Sequence, residues 1–306
     1  MNYWNISFLK VVKSVSKKGL VNKYLYGKDN KTDFTDAMLP ARRREQFGYL
    51  FKNNYLRLFY LNLIVFIFFL PVIIFYGMTS IYIYHLTSGI DNSQYITELL
   101  PISVFQYAGI ILLLPIGFIG LSGTNFIIRK MAFDEVVDIK TDFKKGIKYS
   151  YKQYMFIGFL LGLVLFAVSY AIQYLSLSEM HPLLFILLLT LVIIIFVILL
   201  IAIMYMANLS TLYVMSNVMI VKSGLILAIK ELFKNLGVFL LSIVPVFIWL
   251  MFSHIFIKLT TILILLVYGF IFIQLCFNLL SLYSFDKYIN IKSYPDFYRK
   301  GLRKNG

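Results

Sequence analysis

Three histidines are the first residues in this chain whose types could do chemistry. His85, His181 and His254 lie in three separate breaks between apolar runs, with Asp91, Glu98 and Glu179 nearby. Imidazole and carboxylate together can hold a divalent metal, but such sites set their ligands at fixed spacings, as in a helical HExxH. Each histidine here stands alone in its segment, which is the pattern of solvated groups at a membrane rim, and no metal is expected. Nucleophilic chemistry has no better footing, because neither a GxSxG step nor a cluster of Cys, His and carboxylate occurs. Cys276, the single cysteine, sits inside an apolar run and cannot build a disulfide framework or a cysteine zinc site within one chain. The expectation is a protein that is not an enzyme and needs no cofactor.

A second constellation is made of small and polar residues. The stretch LLPIGFIGLSGTNF, Leu113 to Phe126, places Pro115, Gly117, Gly120, Ser122, Gly123, Thr124 and Asn125 in one apolar run. Proline removes an intrahelical hydrogen bond and glycine lets backbones approach, so a kinked or broken helix over a cavity is one reading. Close helix packing on small residues is the other. GFLLG, Gly158 to Gly162, is a GxxxG step suited to packing inside the chain.

The elements that carry these residues must lie in lipid. The chain of 306 residues is 60% hydrophobic and 14% charged, with a mean hydropathy of +0.81, too apolar for a soluble domain. Six runs are long enough to cross about 30 Å of hydrocarbon, at 58–84, 103–128, 154–176, 182–206, 236–257 and 259–283. From Leu183 to Met204, nineteen of twenty-two residues are Leu, Ile, Val or Phe. Apart from boundary residues, no run contains an ionisable side chain, which counts against proton relays, ion-coupled pumps and voltage sensors. The predicted architecture is all-α: six transmembrane helices as three hairpins, with amphipathic cytoplasmic lead-in helices. Residues 1–57 form a basic N-terminal region, 58–283 the transmembrane domain and 284–306 a basic tail.

Orientation follows from lysine and arginine, which are retained on the cytoplasmic side. Twelve fall in residues 1–57, seven in 129–153, three in 217–235 and six in 284–306, leaving only Lys258 elsewhere. Both termini are therefore expected in the cytoplasm. The net charge of +15 is spread between apolar runs, so the expected partner is the anionic cytoplasmic leaflet and not nucleic acid. Residues 1–44 lack the apolar core of a cleavable signal. Phe8, Val11, Val12 and Val15 share one helical face, so this region reads either as an interfacial helix or as a disordered basic tail. Arg42, Arg43 and Arg44 read as a headgroup anchor.

A short motif recurs before three of the runs. GYLFKNNY (48–55), KYSYKQYM (148–155) and KELFKNLG (230–237) each place an aromatic residue, a lysine and a carboxamide in order. Lys52, Lys152 and Lys234 would reach the headgroups while the aromatic rings hold the interface and the carboxamide caps the following helix. The pattern suits either a true internal repeat or the ordinary spelling of an entry into lipid.

The run LPIGFIGLSGTNFIIRKMAFDEVVDIKTDFKKGIKYSYKQY, Leu114 to Tyr154, resembles the YesL-like family of bacterial membrane proteins. Arg129 and Lys130, Asp134 and Glu135, Asp142 and Phe143, and Lys148 and Lys152 stand where that family has basic residues, an acidic pair, an Asp-Phe step and a cytoplasmic helix. LNLIVFIFFLP, Leu61 to Pro71, looks like its first span. The resemblance implies a Gram-positive plasma membrane and an association with carbohydrate ABC transporters, and no established activity. The leading expectation is a non-enzymatic accessory to carbohydrate uptake, partnered by an ABC-transporter permease or another membrane protein. The alternative is a solute transporter or permease subunit whose path is lined by a broken second helix.

Overall fold

A computed structural model describes residues 38–87, 92–178, 180–251 and 255–303. Within them the chain is all-α. Six helices run in order as α1 (Arg43–Thr87), α2 (Asn92–Ala132), α3 (Ile139–Leu177), α4 (Pro182–Leu212), α5 (Asn217–Lys230) and α6 (Leu232–Met251). The seventh, α7, covers 255–293 and includes two π turns, Leu265–Gly269 and Asp286–Asn290. Five stretches are long and apolar enough to cross a membrane: Arg43–Leu86, Pro101–Ala132, Ile139–Leu177, Pro182–Leu212 and Leu266–Ser293. They contain most or all of the first four expected runs and of the sixth. The fifth falls on α6, whose described apolar part, Leu232–Val244, is shorter. The face of Phe8, Val11, Val12 and Val15, read either as an interfacial helix or as part of a disordered basic tail, lies outside the described residues.

The helix boundaries have local causes. Pro182 opens α4 behind His181, whose Nδ1 accepts from the Leu183 amide. Ser216 caps α5 by accepting from the Met219 amide. Helix α2 stops in a Schellman turn: the amide of Glu135 donates to Lys130 O and that of Asp134 to Met131 O. Asp134 occupies the left-handed position at φ 56°, where glycine is more usual.

The three lead-in helices differ from one another. The first is continuous with its span but bends at Asn54, whose φ and ψ are −129° and 19°. The second is fused to its span, since α3 runs unbroken from Ile139. Only the third, α5, is a separate helix, because Glu231 leaves helical geometry at φ −113° and ψ 34°.

Helix α2 is the centre of the packing. Its glycines receive aromatic rings, Gly109 facing Phe75, Gly117 facing Phe69 and Gly120 facing Phe68 of α1. On its other side α3 approaches through its own glycines. A Cβ on Gly158 would lie 2.9 Å from the Cα of Pro115, and one on Gly162 would lie 2.7 Å from the Cα of Ile111. The GxxxG step therefore packs inside the chain, where small residues let helix backbones meet. Along α4, Leu183, Ile186, Leu187 and Ile194 are exposed as a lipid-facing surface, whereas Ile201 to Leu212 are buried apart from the half-buried Met204. Most fully buried side chains thus gather at the end of the bundle that carries the basic residues.

Candidate functional site

Among the described residues, most of the bundle's buried polar groups form a layer at that basic end and bond one another, while Gln106 with Thr79 and Ser80, and Ser103 with Gln173, pair toward the other end. Asn125 of α2 donates from Nδ2 to the Tyr154 hydroxyl of α3 at 2.7 Å. That hydroxyl lies 2.7 Å from Ala207 O and 2.6 Å from Thr211 Oγ1, both on α4. Thr124 stands 3.1 Å from Gln274 Oε1 of α7. Asn208 of α4 donates to Ser281 Oγ at 2.9 Å and to Phe277 O at 3.2 Å, and its Oδ1 accepts from Asn278 at 3.1 Å. Interhelical bonds of this kind fix the register of helices that apolar contact alone leaves free to slide.

The same logic explains the first π turn. There the Leu266 carbonyl and the Ile271 amide, five residues apart, both bond to the carboxamide of Asn62 on α1, at 2.6 Å and 3.1 Å. Asn62 is fully buried and bridges the opened rung of the helix.

The residues expected to mark a cavity or kink are packed. Helix α2 passes through Pro115 as α-helix, Gly123 receives the Phe143 ring, and Thr124 and Asn125 are buried. The cavity beside this layer, lined by Arg129, Asn208, Thr211 and Asn278 among others, is about 10 Å³. That is the scale of a single water and excludes a solute. Arg129 closes it, donating from Nη1 to Thr211 O at 2.7 Å. Of the histidines, His181 serves as a helix cap, and His254 lies outside the described residues. No group of three His, Cys, Asp or Glu gathers among the described residues.

The entry-motif lysines Lys52, Lys152 and Lys234 are all exposed. Lys234 also stands 3.0 Å from the centroid of the Tyr283 ring, a cation–π contact. The carboxamides differ from the capping role read in the sequence. Gln153 donates to Met215 O at 2.9 Å. Asn235 serves the helix before it, donating to Leu227 O and Ala228 O at the end of α5 while accepting from the Tyr205 hydroxyl.

The arginine triplet is divided. Arg42 and Arg44 have exposed side chains, whereas Arg43 is buried and pairs with Asp286 at 2.9 Å. Arg43 also donates to Gln46 and to Lys300 O, and Gln46 donates to Ala132 O. Asp286 accepts further bonds from Asn290 and from the Arg299 amide. The start of α1, the α2–α3 turn and the C-terminal segment are knitted together by these contacts. Tyr205 and Asp286 escaped the sequence reading because their partners lie far along the chain, and Asn62 and Asn208 escaped it although each is an isolated carboxamide in or beside an apolar run. That isolation is itself the signal that could have found them.

Beside this clasp opens a groove of about 1050 Å³. Its walls are the start of α1 and the first turns of α6, and α7 forms the floor. Arg42, Arg43, Arg44, Lys234, Lys287 and Arg299 are among the residues that line it, with Asp286 as the single acid in the lining. Val238, Leu241, Cys276, Leu279 and Leu280 make up much of its apolar lining. The groove thus combines cationic and apolar lining, the two polarities of an amphiphile.

The long apolar helices make this chain a multi-pass integral membrane protein. No family model, no curated protein and no solved structure matches it.

Proposed function

We propose that this protein is a non-enzymatic accessory of another membrane protein in a bacterial plasma membrane, with both termini in the cytoplasm. The observation that carries the reading is the closed polar layer. Asn62, Thr124, Asn125, Tyr154, Asn208, Gln274 and Asn278 bond to neighbouring helices, and the cavity that Asn208 and Asn278 line is only about 10 Å³. A transporter needs polar groups presented to a path, and here they are spent on holding helices. The surface available to a partner is the basic end, where α5 exposes Val218, Met219, Ile226 and Ile229. Carbohydrate uptake through an ABC permease is the setting that the YesL-like resemblance of residues 114–154 suggests.

The test is reconstitution. Purified protein in liposomes should move no sugar, and affinity capture from cross-linked membranes should recover a permease subunit through the basic end. Solute flux by the protein alone would overturn the reading. Topology is tested separately, with single cysteines at 140 and 93 on intact cells. An impermeant reagent should label 93 and spare 140, and the reverse would invert the orientation.

A further inference from the structure

We infer that the groove beside the Arg43–Asp286 clasp is a binding site for one anionic phospholipid. The argument rests on charge complementarity at the mouth and on the depth of the apolar trough, independently of the accessory role proposed above. Arg43 is committed to Asp286, and Lys287 to Glu231 at 2.6 Å. Arg42 and Arg44 make no ion pair among the described residues, and Lys234 stands over the Tyr283 ring with Glu231 near enough to feel its charge. These three cations come from the entry of α1 and the first turn of α6 and line one groove, where a phosphate diester would neutralise them.

The trough below them has the depth for an acyl chain. From Lys234 to Leu241 is seven residues of α6, about 10 Å along the helix axis. Val238, Leu241 and Leu279 line it over that distance and offer no polar partner. An inorganic anion would leave this wall uncovered, and a zwitterionic lipid would bring its own cation to a mouth already rich in them. The chain's own residues 1–37 carry seven lysines against three aspartates, so the mouth repels them. A basic second copy of the chain is disfavoured for the same reason.

Native mass spectrometry of the full chain in detergent tests this, with equimolar palmitoyl-oleoyl phosphatidylglycerol and phosphatidylcholine added. One phosphatidylglycerol should be retained, with a preference of about tenfold or more over phosphatidylcholine, the scale of one to two surface charge contacts. The triple variant Arg42→Gln, Arg44→Gln, Lys234→Gln should lose that adduct. Leu241→Trp, which fills the trough without touching charge, should lose it too and gives an independent reading if the triple variant misfolds. Removing three exposed charges elsewhere, with Lys144→Gln, Lys145→Gln and Lys148→Gln, should leave the adduct intact. Equal retention of both lipids would overturn the site, as would an adduct that survives both groove variants or one lost equally in the α3 control. Displacement of the lipid by inorganic phosphate would assign the mouth to a free anion and overturn it as well.

Discussion

Arg43 and Asp286 are 243 positions apart in the chain and 2.9 Å apart in the fold. The aspartate oxygen that meets Arg43 Nη2 also accepts from its Nε at 3.2 Å, while the other oxygen takes Asn290 and the Arg299 amide. Both charges are nearly excluded from solvent, so the hydrogen bonds around them are what make the pair tolerable. The pair joins the entry of α1 to the second π turn of α7 and closes one wall of the groove.

Breaking that pair from one side should therefore be severe. Arg43→Ala strands a buried carboxylate and should cost about 3–5 kcal/mol in detergent thermal unfolding. The double variant Arg43→Met, Asp286→Leu removes both charges and should recover much of the loss. Two single variants and a double with additive effects would mean the pair contributes no coupling.

Asn62 offers a sharper case, because one carboxamide serves two backbone groups. Asn62→Leu keeps the volume close but strands Leu266 O and the Ile271 amide inside the bundle. Each stranded group costs about 1–3 kcal/mol, so the variant should unfold well before Thr79→Val, whose hydroxyl only bonds within its own helix and to Gln106. Equal midpoints for the two variants would show that the π turn closes on itself without Asn62.

The glycines of α3 predict a graded series. At Gly162 an added Cβ meets the Ile111 Cα at 2.7 Å, a backbone atom that cannot turn aside. Gly162→Ala should cost about 1–3 kcal/mol as α2 and α3 are forced apart. Gly237→Ala on α6 meets nothing within 4 Å and should be neutral or slightly stabilising through helix propensity.

The spans were legible because insertion into lipid is decided by composition over some twenty residues, and Leu183 to Met204 could form nothing else. Their ends were less so. The fourth run was expected to stop at 206, yet α4 continues to Leu212. Asn208, Ser210 and Thr211 bond back to carbonyls of the preceding turn and keep the helix going. Lead-in helices were legible as amphipathic pattern but not as fused or separate, since a break such as that at Glu231 depends on a partner far along the chain. Pairings such as Thr124 with Gln274, 150 positions apart, leave no local trace at all. The groove was out of reach for the same reason, because its cations come from segments that the sequence keeps apart.

Glu231 carries the acid sensitivity expected of the α5–α6 break. Lys287 donates to it at 2.6 Å and holds its pKa below the usual carboxylate range, against opposing desolvation; the Tyr288 hydroxyl adds a second bond at 2.7 Å. A depressed folded pKa means stability that is fully present above the unfolded value, near 4.3, and lost as pH falls through the folded one. Unfolding midpoints should therefore drop on the acid side of about pH 4.3 in the parent protein. Glu231→Gln should be less stable at neutral pH and show a flatter acid limb. Parallel acid limbs would remove Glu231 from the titration.

The bond between Asn125 and Tyr154 decides between a dry layer and a hydrated path. Among the described residues Asn125 Oδ1 has no hydrogen-bond partner, and the Tyr154 hydroxyl is the only group there that Asn125's carboxamide bonds. Tyr154→Phe removes it and strands Asn125, while Ala207 O keeps the hydroxyls of Ser210 and Thr211. In a dry layer the loss should exceed the average membrane value of about 0.6 kcal/mol and approach the upper end, near 1.7 kcal/mol. Adding Asn125→Leu then removes the stranded group, and the double variant should be less destabilised than the sum of the two singles. If Asn125 instead faced a hydrated path, water would replace the hydroxyl, Tyr154→Phe would cost almost nothing, and the two substitutions would add. That result would revive a solute path along α2.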